Sequence, residues 1–301
     1  MRHPLSFYTA MNTSKKVYRQ PRYFHGWIIF LLTIILFLLL GAPMQLLFGI
    51  YGLAASEFLL LLCAIFSRAI LRYDPLQTFP MALPQPEKLW GAFLIYLGAY
   101  AGNLSVLTLT DYFFPEDLGA FTDTITSYTA DVPPAMAILC IAFLPAVCEE
   151  ALHRGVLLHC FRKRGLAAAV LTGGVVFGLF HLDPSRFLST AMMGAAFAYI
   201  AIRTDSLVPT MLFHFLTNLL SVYSLYAFSA EELTQSTALA SPVFDVYGIC
   251  CMYFAAMFLL LLFGLRHIEP RCKERPPIWA AVAGNGFLLV GVTLYLIQLY
   301  A

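Results

Sequence analysis

Charge is scarce in this 301-residue chain. Asp, Glu, Lys and Arg make up 12% of it, about half the share of an ordinary soluble domain. That deficit excludes a soluble globular domain, and a net charge of +1 offers nothing to a nucleic acid, so no such partner is expected. Other features are missing too. No apolar run precedes residue 25, so no cleaved signal peptide is expected and the first membrane span serves as the targeting signal. The seven cysteines show no CxxC or other metal-type spacing and read as small packing residues, without disulfides. There is no internal repeat, no low-complexity tract and no helical HExxH signature.

What remains is 60% hydrophobic. A bilayer-crossing helix needs about 20 apolar residues. Nine stretches qualify: 25–42, 45–67, 89–110, 134–161, 166–182, 185–203, 206–227, 244–265 and 278–300. The expected fold is an all-α, polytopic transmembrane bundle of about nine spans. Residues 1–24 form a basic cytoplasmic tail. Residues 25–301 form a single transmembrane domain whose catalytic core lies at about 134–227. Gly41-Ala-Pro43, Pro133-Pro134, Asp183-Pro184 and Pro276-Pro277 read as breaks between helices.

Orientation follows from Lys and Arg in the short loops. With the N-terminus cytoplasmic, 16 of the 18 basic residues fall on one side. The opposite side has Arg186 alone, and Arg154 lies within a span. The connector 111–133 contains Asp111, Glu116, Asp117, Asp123 and Asp131 with no Lys or Arg, and is long enough to hold a short surface helix. An integral membrane protein of basic-inside polarity is expected, in the plasma membrane of a prokaryote, with the lipid bilayer as its first partner.

Against this background Glu149, Glu150 and Arg154 stand out, because ionisable side chains inside a membrane span are costly and mark function. Glu150 and Arg154 are i,i+4 and can pair. Glu149 is turned about 100° away and stays free to act as a general base. His181 shares a helix face with Phe177, and His214 shares one with Asn218. Counting rise per residue from the basic ends puts Glu149, His181 and His214 at roughly 18, 24 and 13 Å, depths that helix tilt can reconcile. These residue types suit peptide hydrolysis. Glu149 takes a proton from water, His181 helps hold that water, and His214 with Asn218 aims two donors at a carbonyl oxygen. No cofactor is needed. The alternative within hydrolysis is a zinc ion on Glu149, His181 and His214 with an open fourth position.

At these positions the chain resembles the CAAX-protease and bacteriocin-processing family of intramembrane endopeptidases, the type II prenyl-protein proteases and their bacterial relatives. Glu149-Glu150-Ala-Leu-His-Arg154 matches that family's Glu-Glu-x-x-x-Arg motif. Phe177-Gly-Leu-Phe-His181 matches Phe-x-x-x-His, and His214-Phe-Leu-Thr-Asn218 matches His-x-x-x-Asn. The resemblance implies a helical membrane protease whose cavity opens to the cytoplasm. It implies Glu149 as base, His181 as its helper, His214 and Asn218 at the oxyanion, and Arg154 bracing Glu150. One departure is His153, where the family carries an aromatic residue; it either fills that slot or tunes Glu149. Glu57 and Asn103 are further polar residues within spans, without a sequence partner.

A peptide or lipidated protein is the expected substrate. Two other readings stay open. A non-catalytic scaffold or bacteriocin self-immunity protein could keep the same fold. A proton-coupled transporter would favour inverted repeats and half-helices, and neither is visible in the sequence.

Overall fold

A computed structural model describes residues 18–227 and 244–269. It is all helical, as expected. Six helices are long and apolar enough to cross a membrane: Tyr23–Leu71 (α1), Pro86–Phe113 (α2), Pro134–Arg164 (α4), Phe187–Thr204 (α6), Val208–Ala227 (α7) and Val246–Ile268, the larger part of α8 (Phe244–Ile268). The amphipathic helix α3, Pro115–Thr129, fills the expected surface position in the 111–133 connector. The shorter apolar helix α5 is Leu166–Phe180. The expected ninth span, 278–300, and most of the basic tail lie outside the described residues.

Helix α1 is two arms folded back on each other. Gly49 has φ +53° and ψ −126°, a combination cheap only for glycine, and it breaks the helix. A Cβ on Gly52 would clash with the Met44 carbonyl oxygen, so the arms touch backbone to backbone at the turn. Gln45 Nε2 donates to Ser56 Oγ at 2.8 Å, and His25 Nδ1 meets the Tyr73 hydroxyl at 2.6 Å where the arms end. The two expected spans are therefore present, but the reversal falls at Gly49 and not at Gly41-Ala-Pro43. Pro43 lies inside the continuous first arm, directly after a π-helical stretch, Phe37–Gly41, whose irregular hydrogen bonding accommodates its missing N–H.

Two packed pairs complete the frame. α2 and α8 run antiparallel in close contact: a Cβ on Gly91 would meet the Gly264 backbone, and Ser105 Oγ donates to the Cys250 carbonyl at 3.4 Å. α5 and α6 approach through small residues, Gly174 and Gly178 against Ala191 and Ala195, as membrane helices do when packing has no hydrophobic drive. That close approach places Phe177 and Gly194 against each other.

The charged connectors meet at one end of the bundle. Arg162 pairs with Asp205 at 3.2 Å, Lys163 Nζ donates to Gln20 at 3.3 Å, and the Leu207 N–H donates to the Pro80 carbonyl at 2.8 Å. Arg203 is bound by both oxygens of Glu269 at 2.6 and 2.7 Å. These are the segments assigned to one side from loop charge, so the helix alternation and the charge map agree over the described residues. Replacing Gly49 by valine is expected to cost about 1–3 kcal/mol of stability, measured as a lowered thermal midpoint in detergent. Gly248, with open space at its Cβ, is expected to accept alanine with little change.

Candidate active site

Helix α4 does not hold α geometry throughout. Ile138–Phe143 and Ala151–Leu157 are π-helical and flank a short α stretch, Leu144–Glu150. A π turn widens the helix and reassigns its carbonyls, and such turns recur at functional sites. Here the Ile141 carbonyl accepts from Asn218 Nδ2 of α7 at 3.1 Å. Asn218 is thereby fixed with its amide in the gap between α4 and α7.

One turn towards the basic end the same two helices meet through charge. Arg154 Nη1 donates to Glu150 Oε1 at 2.7 Å, and His214 Nδ1 reaches the same oxygen at 3.0 Å. Thr210, one turn before His214, is fully buried against this carboxylate. Arg154 Nη2 also donates to the Gly194 carbonyl of α6 at 3.2 Å. Its guanidinium lies 4.3 Å from the centre of the Phe177 ring and 5.3 Å from that of Phe197, a cation held between two aromatic faces. Glu150 and Arg154 are 0% and 4% exposed. A buried charge is tolerable only when paired and hydrogen-bonded; Glu150 Oε1 and Arg154 each have several partners, while Glu150 Oε2 is buried without a hydrogen bond.

Phe177 is the hub of the cluster. Its ring lies 4.9 Å from His181, 5.0 Å from His153 and 5.9 Å from His214, all edge-on. His181 Nδ1 sits 2.8 Å from the Phe177 carbonyl oxygen. A carbonyl can only accept, so Nδ1 carries the proton and Nε2 of the neutral ring presents a lone pair. Leu182, with φ +53°, turns the chain away immediately afterwards and makes His181 the last residue before the break. The Asp183 carboxylate then accepts from Ser185 and Arg186, the local turn that Asp-Pro sequences favour.

Glu149 has no protein partner on its buried Oε2. His214, Glu150, Arg154 and Arg186 all act on it electrostatically. Glu150, Arg154 and His214 are joined directly, His181 and His214 both lie against the Phe177 ring, Glu149 precedes Glu150 on α4, and Asn218, one turn from His214, is held by the Ile141 carbonyl. Sequence reading did not identify the Gly194 carbonyl and Phe197 of α6, Thr210, the Ile141 carbonyl, or the nearness of Arg186. A Gly within an apolar span and a Thr one turn before the His were the only signals available. His153 settles into the aromatic slot: its ring is edge-on to Phe177 and Phe180 at 5.0 and 5.2 Å, and neither nitrogen has a partner. Among the described residues no three His, Cys, Asp or Glu side chains are placed to hold a metal ion, the set Glu149, His181 and His214 included.

Acid, base and amide side chains gathered between helices long and apolar enough to cross a membrane mark a functional site. Residues 131–220, which hold all three motifs, match the family described as Type II CAAX prenyl endopeptidase Rce1-like. That match covers 90 of the 301 residues, and the six long apolar helices are those of an integral membrane protein. No curated protein and no solved structure matches the chain.

Arg154→Ala is expected to cost about 3–5 kcal/mol, because Glu150 is left buried without its cation. Arg154→Lys should recover only part of this, since an ammonium cannot span Glu150, Gly194 and the two rings together. His153→Phe, close in volume, is expected to change stability by less than about 1.5 kcal/mol. Thermal unfolding of the purified variants in one detergent measures all three.

Proposed function

We propose that this chain is an intramembrane endopeptidase that hydrolyses a peptide bond with carboxylate-activated water. The observation that carries the reading is the convergence of three separately encoded motifs on Phe177 and the Glu150 carboxylate. Glu149, with a buried oxygen not engaged by the protein, takes the proton of a water molecule whose second hydrogen is accepted by His181 Nε2. The water oxygen bonds to the carbonyl carbon of the substrate. Asn218 and His214 lie on the α7 face and serve the developing oxyanion, with the His214 ring aimed by its Nδ1 contact to Glu150. The proton held by Glu149 then passes to the leaving nitrogen as the C–N bond breaks. Arg154 fixes Glu150, and Glu150 fixes His214.

The reaction so written uses no metal. The substrate class we assign is a peptide or lipidated protein that enters from the side of the basic loops, and we place that side in the cytoplasm of a prokaryotic cell. The scaffold or self-immunity reading needs the same ion-pair cluster for folding but no free base.

Glu149→Gln keeps the size of the side chain and removes the base. It is expected to lower peptide cleavage by at least about 10²-fold while the protein remains folded. His214→Ala is expected to lose about 10²–10³-fold. Peptide profiles of cells carrying the native or the Glu149→Gln form would identify what is cut; identical profiles and an unchanged phenotype would favour the scaffold. Cleavage by the purified protein is expected to survive strong chelation, and its loss would restore the zinc alternative.

A further inference from the structure

At the basic end of the bundle the tips of three helices enclose a cavity of 380 Å³ that contains none of the motif residues. Its charged wall is Glu87 and Lys88 from the start of α2, Arg203 from the last turn of α6, and Arg266, His267 and Glu269 from the end of α8. Two contacts build it. A Cβ on Gly91 would lie 2.9 Å from the Gly264 carbonyl oxygen and 3.0 Å from the His267 Cβ, so the start of α2 nests against the end of α8. Arg203 is bound by both oxygens of Glu269, and the Tyr199 hydroxyl donates to one of them, which ties the end of α6 to the same place.

The charges of this wall do not cancel. Glu269 is engaged by Arg203, and Glu87 lies 3.9 Å from His267 Nδ1. Lys88 and Arg266 have no ion pair and no hydrogen bond among the described residues. Three permanent cations thus line the cavity with two carboxylates, and the surplus belongs to the two unpaired side chains. The sequence that follows Glu269 is itself basic, with Arg271, Lys273 and Arg275 against Glu274.

The cavity also stands at a defined level. Lys88 is the third residue of its span, Arg203 the last but one, and Arg266 lies two residues before the end. Three spans end there, and the lipid phosphates begin where the hydrocarbon stops. Trp90, two residues after Lys88, is 52% exposed, and Leu83, two before the lining residue Gln85, is 76% exposed. Indole and apolar side chains flanking a cationic cavity suit the boundary between headgroup and acyl chain. The volume falls within the range of about 300–1,000 Å³ usual for small-molecule sites and is ample for a headgroup.

We propose that this cavity binds the phosphate headgroup of an anionic phospholipid from the leaflet on the basic side, with Lys88 and Arg266 as its counter-charges. A dissolved phosphate shares that chemistry; the position at three span ends, flanked in sequence by Trp90 and Leu83, selects the lipid. Occupancy braces α2, α6 and α8 against one another. Arg203 is nine residues, about 13 Å, along α6 from the Gly194 carbonyl that receives Arg154, so the site is separate from the candidate active site and independent of the hydrolase reading.

The purified full chain in neutral detergent is titrated with phosphatidylglycerol or phosphatidylcholine, and bound lipid is counted by native mass spectrometry. Phosphatidylglycerol is expected to bind at least about tenfold better and to raise the thermal midpoint, as phosphatidylcholine does not. K88Q/R266Q removes the unpaired cations and is expected to weaken phosphatidylglycerol binding at least about tenfold. R162Q/K163Q removes the same charge at the same end of the bundle but outside the cavity, and is expected to weaken it less than about threefold. Equal losses in the two pairs would mean diffuse surface attraction and would overturn the proposal. So would a native protein that binds both lipids alike, a test that does not depend on the variants folding. Inorganic phosphate that raises the midpoint as far as phosphatidylglycerol does would overturn the lipid assignment.

Discussion

The arrangement depends on one carboxylate oxygen shared by two donors. Glu150 Oε1 receives both the Arg154 guanidinium and the His214 imidazole, and it does so with no access to water. A lone carboxylate at that depth would cost several kcal/mol, so the helices that supply its partners cannot drift apart without exposing it. α4 contributes the acid and the cation and α7 the imidazole. α6 adds the Gly194 carbonyl that takes the other guanidinium nitrogen, and α5 adds the ring on which the guanidinium rests. Close approach of α5 to α6 through Gly174 and Gly178 is what lets Phe177 and Gly194 serve the same arginine. Electrostatic pairing and small-residue packing therefore specify the same geometry.

Much of this could be read from the chain. Nine apolar stretches and a lopsided distribution of Lys and Arg gave the all-helical bundle and its alternation, because the cost of exposing backbone or charge to lipid leaves few options. The i,i+4 spacing of Glu150 and Arg154 gave their pair. The four-residue spacings 177–181 and 214–218 gave two shared faces. The tertiary partners of those faces were not legible: a Gly carbonyl, a Thr and a Phe in other spans carry no spacing signal. Ordinary helix periodicity also turned Glu149 away from Arg154. In the structure a π turn runs from Ala151 to Leu157, and positions four and five residues apart come closer to one face, so Arg154 acts on both glutamates.

The hairpin shows the same division. Its two arms were legible from apolar length, but the place of reversal was not. Gly41-Ala-Pro43 is the stronger turn signal in sequence, yet the helix runs on through Pro43 beside a π-helical stretch, and Gly49 takes the backbone conformation that the reversal needs. Moving the turn by a few residues changes which side chains of the second arm face α4, so that register was not legible either.

The two widened turns of α4 have a further bearing on how such a helix tolerates change. Each π turn behaves as an α-helix with one residue too many. Deleting a single residue between Ala151 and His153 would let the backbone relax to regular geometry with the flanking helix near its register, but would leave Arg154 three residues from Glu150 where it now stands four away. Deleting one between Ile138 and Phe143 would likewise displace the carbonyl that anchors Asn218. In this helix the length of each widened turn matters as well as the identity of its residues.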